Sequence, residues 1–486
     1  MNDDADGRPL SRRRLLALAG TGLVGSLAGC SDDSSTPTPT ETTERQTTLL
    51  GTTEATTATT EATTEETIEE TTEETTEETT EETTEETTQE SETNPRVLER
   101  TVSGSVLDTS PGSEFAPTDG FAAPSWLDGD VSVAVVTNLD ASGEGSLRWA
   151  TSQGPCIVVF EVGGVIDLAG DHLKPEGDPC WIAGQTAPDP GITLIRGGLY
   201  VGGDESVVQH IRVRSGDAGR TTGWEPDSAH SDDGTADIIF DHVSATWGVD
   251  ETLSVGYNTE NTTLVNCIVA EGLDESTHHE GGHSAGTLVG DGAQNVSLIG
   301  NLYYSNVQRN PLMKYDTTNA LVNNLITHWE TEGALMLDTT EAAFVGNAYT
   351  NAVHPDNPVI RRAGDAYLED NVTTTNGPFL GGVEEITRKT VWPDGLEAIS
   401  SSRTEEHVLE NAGARPAERT HHDARVVENA RNREGAFIDT QEEVGGYPDL
   451  EATERPMDIP EDVTEWLTQH TRAVELADAA PPTATE

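Results

Sequence analysis

The chain has 486 residues, with 87 acidic against 27 basic side chains and a formal net charge of −60. A surface this negative repels phosphate backbones and anionic lipid, which excludes nucleic-acid binding and leaves membrane contact only to a covalent anchor. Acidity persists well beyond the N-terminal tail, while lysine occurs only as Lys174, Lys314 and Lys389.

In chain order, the first feature is an address. Ser11-Arg12-Arg13-Arg14-Leu15-Leu16 precedes a short apolar stretch that ends in Leu27-Ala28-Gly29-Cys30. The charged, apolar and small-residue regions of a signal peptide are all present over residues 1–30. The segment is similar to a twin-arginine export signal with a lipobox, so Cys30 is expected to carry lipid and hold the protein at the outer face of the cell membrane. It is too short and too rich in glycine to span a bilayer. Residues 31–97 are dominated by Thr and Glu, with a Glu-Glu-Thr-Thr repeat between Glu69 and Thr88. No core can form there to offset chain entropy, so a disordered stalk is expected, its hydroxyls offering glycosylation sites.

From about residue 130 the chain changes to short β-branched runs separated by Gly, Asn and Asp. Triplets recur after these runs: Gln209-His210-Ile211, Asp241-His242-Val243, Asn266-Cys267-Ile268, Gly300-Asn301-Leu302, Asn323-Asn324-Leu325, Gly346-Asn347-Ala348 and Asp370-Asn371-Val372. Their second residues are spaced by 32, 25, 34, 23, 23 and 24. A period near 23 with two enlarged members means stacked coils with loops leaving the stack. Leucine-rich repeats need fixed Leu offsets and a helical back, which are missing. Short strands with Asn at the corners, where the backbone turns left-handed, predict an all-β, right-handed parallel β-helix over residues 98–400.

Residues 401–486 are expected to cap or pack along the solenoid, with helices over 403–412, 424–433 and 460–479 and a disordered end. Cys156 and Cys180 lie one coil apart and are candidates for a disulfide, whereas Cys267, inside a strand, reads as a buried small hydrophobe.

Four stretches depart from what such a fold requires. Arg309 and Lys314 bring two cations close together in a chain that avoids them. Asp250 and Glu251 are adjacent carboxylates that repel unless a hard divalent cation lies between them, and Glu225 and Asp227 supply more oxygen one coil earlier. The fourth stretch, 281–290, lies one coil before Arg309 and contains His283.

Together with Val136-Thr137-Asn138-Leu139-Asp140, Gly145-Ser146-Leu147-Arg148 and Ile182-Ala183-Gly184-Gln185-Thr186-Ala187-Pro188, the Asp241-His242 and Arg309-Asn310-Pro311 motifs resemble the pectate lyases of polysaccharide lyase family one. The resemblance covers about residues 104–395, and the Ile438-Asp439 to Gly445-Gly446-Tyr447 region resembles the tail of the family's bacterial outer-membrane-associated branch. It implies cleavage of polygalacturonate by calcium-assisted β-elimination. By position, Arg309 matches the base and Lys314 the cation that grips the substrate carboxylate. Asp227, Glu251, Glu225 and Asp250 fall where calcium ligands lie. A further aspartate ligand expected near Val255 and a lysine expected near Ala285 are absent, and His283 stands closest to the latter.

Arginine is an unusual base, since it holds its proton to above ~12 in ordinary surroundings, and neighbouring cations are what would disfavour its charged form. The acidic, lysine-poor composition also resembles that of halophilic archaeal proteins, whose surfaces stay soluble in molar salt, where the Debye length falls to ~3 Å. The reading is therefore an extracellular, glycosylated, monomeric lyase acting on an acidic polysaccharide with Ca2+. Two other readings remain open at this stage. One is a β-helix glycoside hydrolase using Asp232 and Asp233 or Asp250 and Glu251 as its carboxylate pair; the other is a non-catalytic surface protein that binds polysaccharide.

Overall fold

The β-branched runs become the strands of three long sheets that wind as a right-handed parallel β-helix. The structure, a computed structural model, describes residues 95–482; the export signal, Cys30 and the Thr/Glu-rich stretch up to residue 94 lie outside them. The first sheet has 12 strands, from Arg96–Val102 to Glu384–Ile386. The second has 10 and the third 9, the latter ending at Leu380–Gly381. Neighbouring coils pair in parallel throughout. Antiparallel pairing occurs where Arg96–Val102 covers Gly129–Val136 and where Thr453–Glu454 returns onto Val162–Asp167.

Strand alternation sends one side chain in two to the interior. Val158, Ile182, Val208, Phe240, Leu264, Leu298, Leu321 and Phe344 are successive register partners in the first sheet, all buried in one apolar column. Each such side chain contributes roughly 1.5–3 kcal/mol by leaving water, and the column repeats with every coil.

At the corner after this sheet the backbone turns left-handed at His210, His242, Asn266, Gly300, Asn323, Gly346 and Asp370. The triplets aligned in the sequence are thus out of step by one residue: His210 and His242 are the second members of theirs, while Asn266 and its successors are the first. The Asn residues at the second position of the later triplets are not the left-handed ones. Asn301, Asn324, Asn347 and Asn371 follow the turn and form an internal ladder. The backbone N–H and Nδ2 of Asn301 both donate to Asn324 Oδ1 at 3.0 Å. Asn324 repeats this on Asn347, and Asn347 on Asn371, at 2.9–3.0 Å. Each buried amide is thereby satisfied without water, as a stack of polar groups inside a core must be.

Cys156 and Cys180 are register partners in neighbouring coils, both free thiols here, and burial pushes each up to about 12. Cys267 is fully buried, with its thiol donating to the carbonyls of Phe240 and Val265.

Helix α1 (Leu147–Thr151) is capped by Ser146, whose hydroxyl accepts from the Trp149 N–H at 3.2 Å. Three helices follow the solenoid: α2 (Ser401–Asn411), α3 (His421–Asn432) and α4 (Thr464–Glu475). Val408, Leu409, Val426 and Val427 from α2 and α3 cover Ile268, Leu302, Tyr304 and Leu325 on the outside of the second sheet. Asp423 of α3 is buried between Arg212 and Arg214. Helices α2 and α3 are therefore a strap along the second sheet, while Trp466 and Leu467 of α4 pack with Val133, Ile157 and Trp181 on the first. Among the described residues no helix is long and apolar enough to cross a membrane.

Candidate active site

The two enlarged coil spacings are where the chemistry collects. The segment between the left-handed corners His210 and His242 carries Glu225 and Asp227, and the one between Asn266 and Gly300 carries His278, His279 and His283. Both loops run into the third sheet, whose strands Ala229–Ser231, Leu253–Val255, Leu288–Val289 and Leu312–Met313 lie side by side in parallel. Above them is a groove of about 810 Å³, lined by Asp227, Asp250, Glu251, Arg309 and Lys314 among others.

Asp227, Asp250 and Glu251 converge, with one carboxylate oxygen of each lying within 4.8 Å of the others. Stacking of the coils does this: the Glu251 N–H donates to Asp227 Oδ1 at 3.1 Å, and Val249 N–H to the Pro226 carbonyl at 2.9 Å. Burial first, and then the charges of Asp227 and Asp250, hold the Glu251 carboxyl well above the usual carboxylate range. For Asp250 burial also pushes upward, but His283, Glu251 and His278 together outweigh it and the balance is downward. Three carboxylates forced together, one almost wholly out of water, are a poor arrangement for a bare protein. They are a good one for a hard cation with oxygen ligands, so the donor set fits calcium.

Arg309 has its Nη1 on Glu251 and 4.0 Å from Asp250, and its side chain is 21% exposed, so it faces both the carboxylates and the groove. The bridges from Glu251 to Ala285 and from Ala285 to Gln308 set this register. Lys314 follows the strand Leu312–Met313, and its ammonium donates to the Tyr257 hydroxyl at 2.8 Å and lies 3.2 Å from Asp291 Oδ2.

The other expected site residues are placed less directly. Glu225 lines the groove, but its carboxylate accepts from the backbone N–H of His279 and pairs with that residue's Nδ1, both at 2.9 Å. His283 is buried, stacked on His278 at 3.9 Å, with Nε2 3.1 Å from Asp250 Oδ1. At the two positions where a ligand and a lysine are missing, Val255 belongs to the interior core and Ala285 is fully buried. Ser254 and Val255 both line the groove, and neither offers a carboxylate. Asp232 and Asp233 line it as well.

One participant had no signal beyond its spacing. His230 lies three residues after Asp227 on an alternating strand, with Nδ1 2.9 Å from Asp227 and Nε2 2.9 Å from Asp232. Burial works against its charge, but the two carboxylates prevail and hold its pKa up at about 9. Its ring stacks on Tyr200 at 4.0 Å, and Tyr200 on His172 at 4.5 Å. A rigid aromatic ladder therefore backs Asp227.

No family model matches the chain. It is 34% identical over 378 residues to a protein of Emericella nidulans named "Probable pectate lyase C", covering 73% of this chain and 86% of that one. It is also 34% identical over 392 residues to the protein of the same name from Aspergillus oryzae, covering 75% and 88%. Among solved structures it resembles the major allergen of cedar pollen, with a TM-score of 0.44 and 15% identity over 58% of this chain and 88% of that one.

Proposed function

This chain belongs to the pectate lyase family and is a polysaccharide lyase; from that premise we propose that it cleaves (1→4)-α-D-galacturonan by calcium-assisted β-elimination with Arg309 as the base. The observation that carries the reading is the convergence of Asp227, Asp250 and Glu251 in the groove that also holds Arg309 and Lys314. A carboxylate pair for hydrolysis would leave both of these cations without a task.

Asp227, Asp250 and Glu251 would hold the calcium ion, with Glu225 at the edge of the set. Calcium so held supplies Lewis-acid neutralisation of the uronate carboxylate and relieves the repulsion between an acidic enzyme and an acidic polymer. Lys314 grips the substrate carboxylate, and His283 stands in for the lysine absent at Ala285. Arg309, in its neutral guanidine form, takes the proton α to that carboxylate and becomes the guanidinium. The electron pair left behind forms the C4=C5 double bond as the C4–O4 bond breaks, and water protonates the departing oxygen. Charge that builds on the carboxylate in the transition state thus meets cations already in place.

The chain is read in four parts: an export signal over 1–30 with lipid on Cys30, a stalk over 31–97, the lyase solenoid over 98–400 and a packing segment over 401–486. The composition supports an extracellular, salt-adapted setting. The test is ultraviolet absorbance of polygalacturonate digested by the full chain in high salt, with and without a calcium chelator. An unsaturated product that disappears with chelator is expected. Reducing ends formed without that absorbance would overturn the elimination.

A further inference from the structure

Lys314 is held in an unusual way for a substrate-gripping lysine. Val255, Val289 and Met313 are register partners in three successive coils of the third sheet. Tyr257, Asp291 and Lys314 follow them by two, two and one residues. The lysine therefore does not point straight out of its own coil. It leans back along the groove floor, past Asp291 in the next coil, to the Tyr257 hydroxyl in the coil beyond, at 3.2 and 2.8 Å. Its ammonium also lies 4.5 Å from the centroid of the Tyr257 ring, within reach of a cation–π contact. The side chain is 23% exposed, so the charge remains open to the groove while the stem is confined.

A lysine stem is rich in rotamers, and a free one loses that freedom each time it grips a ligand. A stem already fixed by two partners does not, which is the general gain from preorganisation. We propose that Tyr257 and Asp291 are positioning residues of the lyase site, holding the Lys314 arm across the groove floor so that the uronate carboxylate meets a cation already in place. This rests on the reading of Lys314 as the carboxylate grip. Asp291 anchors the arm by charge. Tyr257 anchors it through one hydroxyl, and its ring lines the same groove.

The test is steady-state kinetics of the full chain on polygalacturonate with saturating calcium, for Tyr257→Phe, Lys314→Ala and the double variant. Phe keeps the ring and removes only the hydroxyl, so packing is preserved. Tyr257→Phe is expected to raise KM roughly three- to tenfold, the net worth of an ordinary hydrogen bond, since Asp291 still holds the ammonium, with kcat within about twofold. On the Lys314→Ala background the same change is expected to add nothing. Asp291→Asn, which keeps an acceptor oxygen, is expected to be milder than Asp291→Ala. An unchanged KM in Tyr257→Phe while Lys314→Ala raises it overturns the inference and spares the reading of Lys314. An unchanged KM in Lys314→Ala overturns that reading itself. If the hydroxyl's effect persists in full without the lysine, Tyr257 acts on the sugar directly and is not a positioning residue.

Discussion

Asp423→Asn removes a single charge from the most buried ion cluster of the strap. In the native chain Asp423 accepts from Arg212 Nε at 3.0 Å, Arg214 Nη2 at 2.7 Å and Ser244 Oγ at 3.0 Å, with all three charged side chains almost fully buried. Burial already pushes Arg212 down to about 10, and the Asp423 charge is the main influence opposing that fall. Arg212 Nη2 and Arg214 Nε have no hydrogen-bond partner even in the native arrangement. The asparagine variant leaves two guanidinium groups without a counter-charge, and breaking a buried pair in this way costs about 3–5 kcal/mol.

A solenoid with a strap need not unfold in one step, so the loss should appear first as local opening of α3. Amide exchange over residues 421–432 is expected to accelerate by about a hundredfold or more, at 1.4 kcal/mol per factor of ten. Activity is expected to fall as well, because the strap and the chain just after it support the loops of the groove. The Asp274 N–H donates to the Ile438 carbonyl at 2.8 Å, and the Ala218 N–H to the Tyr447 hydroxyl at 3.0 Å. The same group sets an acid limit. Burial raises the Asp423 carboxyl, but Arg214 and Arg212 outweigh it and the folded value lies below the unfolded one. Its contribution is therefore complete above ~3.9 and is lost as pH falls through the depressed value. Exchange in α3 within about threefold of the wild type in Asp423→Asn would refute the uncompensated-charge argument.

Arg309→Lys is expected to abolish turnover while calcium binding and the circular dichroism spectrum persist, because lysine keeps charge but not the reach and planar shape of guanidine. Near-normal turnover would remove Arg309 as base. Asp227→Asn and Glu251→Gln are each expected to raise the calcium concentration needed for half-maximal activity, by about tenfold or more, since a hard cation loses neutralisation with each carboxylate. A calcium titration of activity that matches the wild type excludes that residue as a ligand. In dilute buffer the chain, at −60, is expected to loosen as the Debye length grows toward ~30 Å, with partial rescue by calcium. A circular dichroism spectrum constant from 0.01 M to molar salt would sink the salt-adapted reading.

The solenoid was legible because its strongest constraint is periodic: Asn301, Asn324, Asn347 and Asn371 recur as each coil returns to the same ladder. The one-residue slip in the earlier triplets has a physical cause. His210 and His242 occupy the left-handed corner that Asn and Gly take later, and a histidine there does not look like a turn residue. Arg309 and Lys314 stood out because the chain is so poor in cations, and Asp227 beside Asp250 followed from stacking. What could not be read were contacts that depend on loop path. Glu225 turning to His279 and Lys314 reaching Tyr257 join segments across loops or successive coils, where spacing alone says little about direction, and His230 between Asp227 and Asp232, though local, depends on which way that short strand turns its side chains.

The groove is built from whole coils, and that makes it a ruler. Its lining side chains come from Tyr200 in one coil to Lys314 four coils later, and adjacent strands are ~4.8 Å apart, so the floor measures about 19 Å. That is several sugar units of an extended polymer. The enzyme therefore engages a stretch of chain rather than a single bond, and its hold on substrate should grow in steps with oligomer length until the last coil is covered.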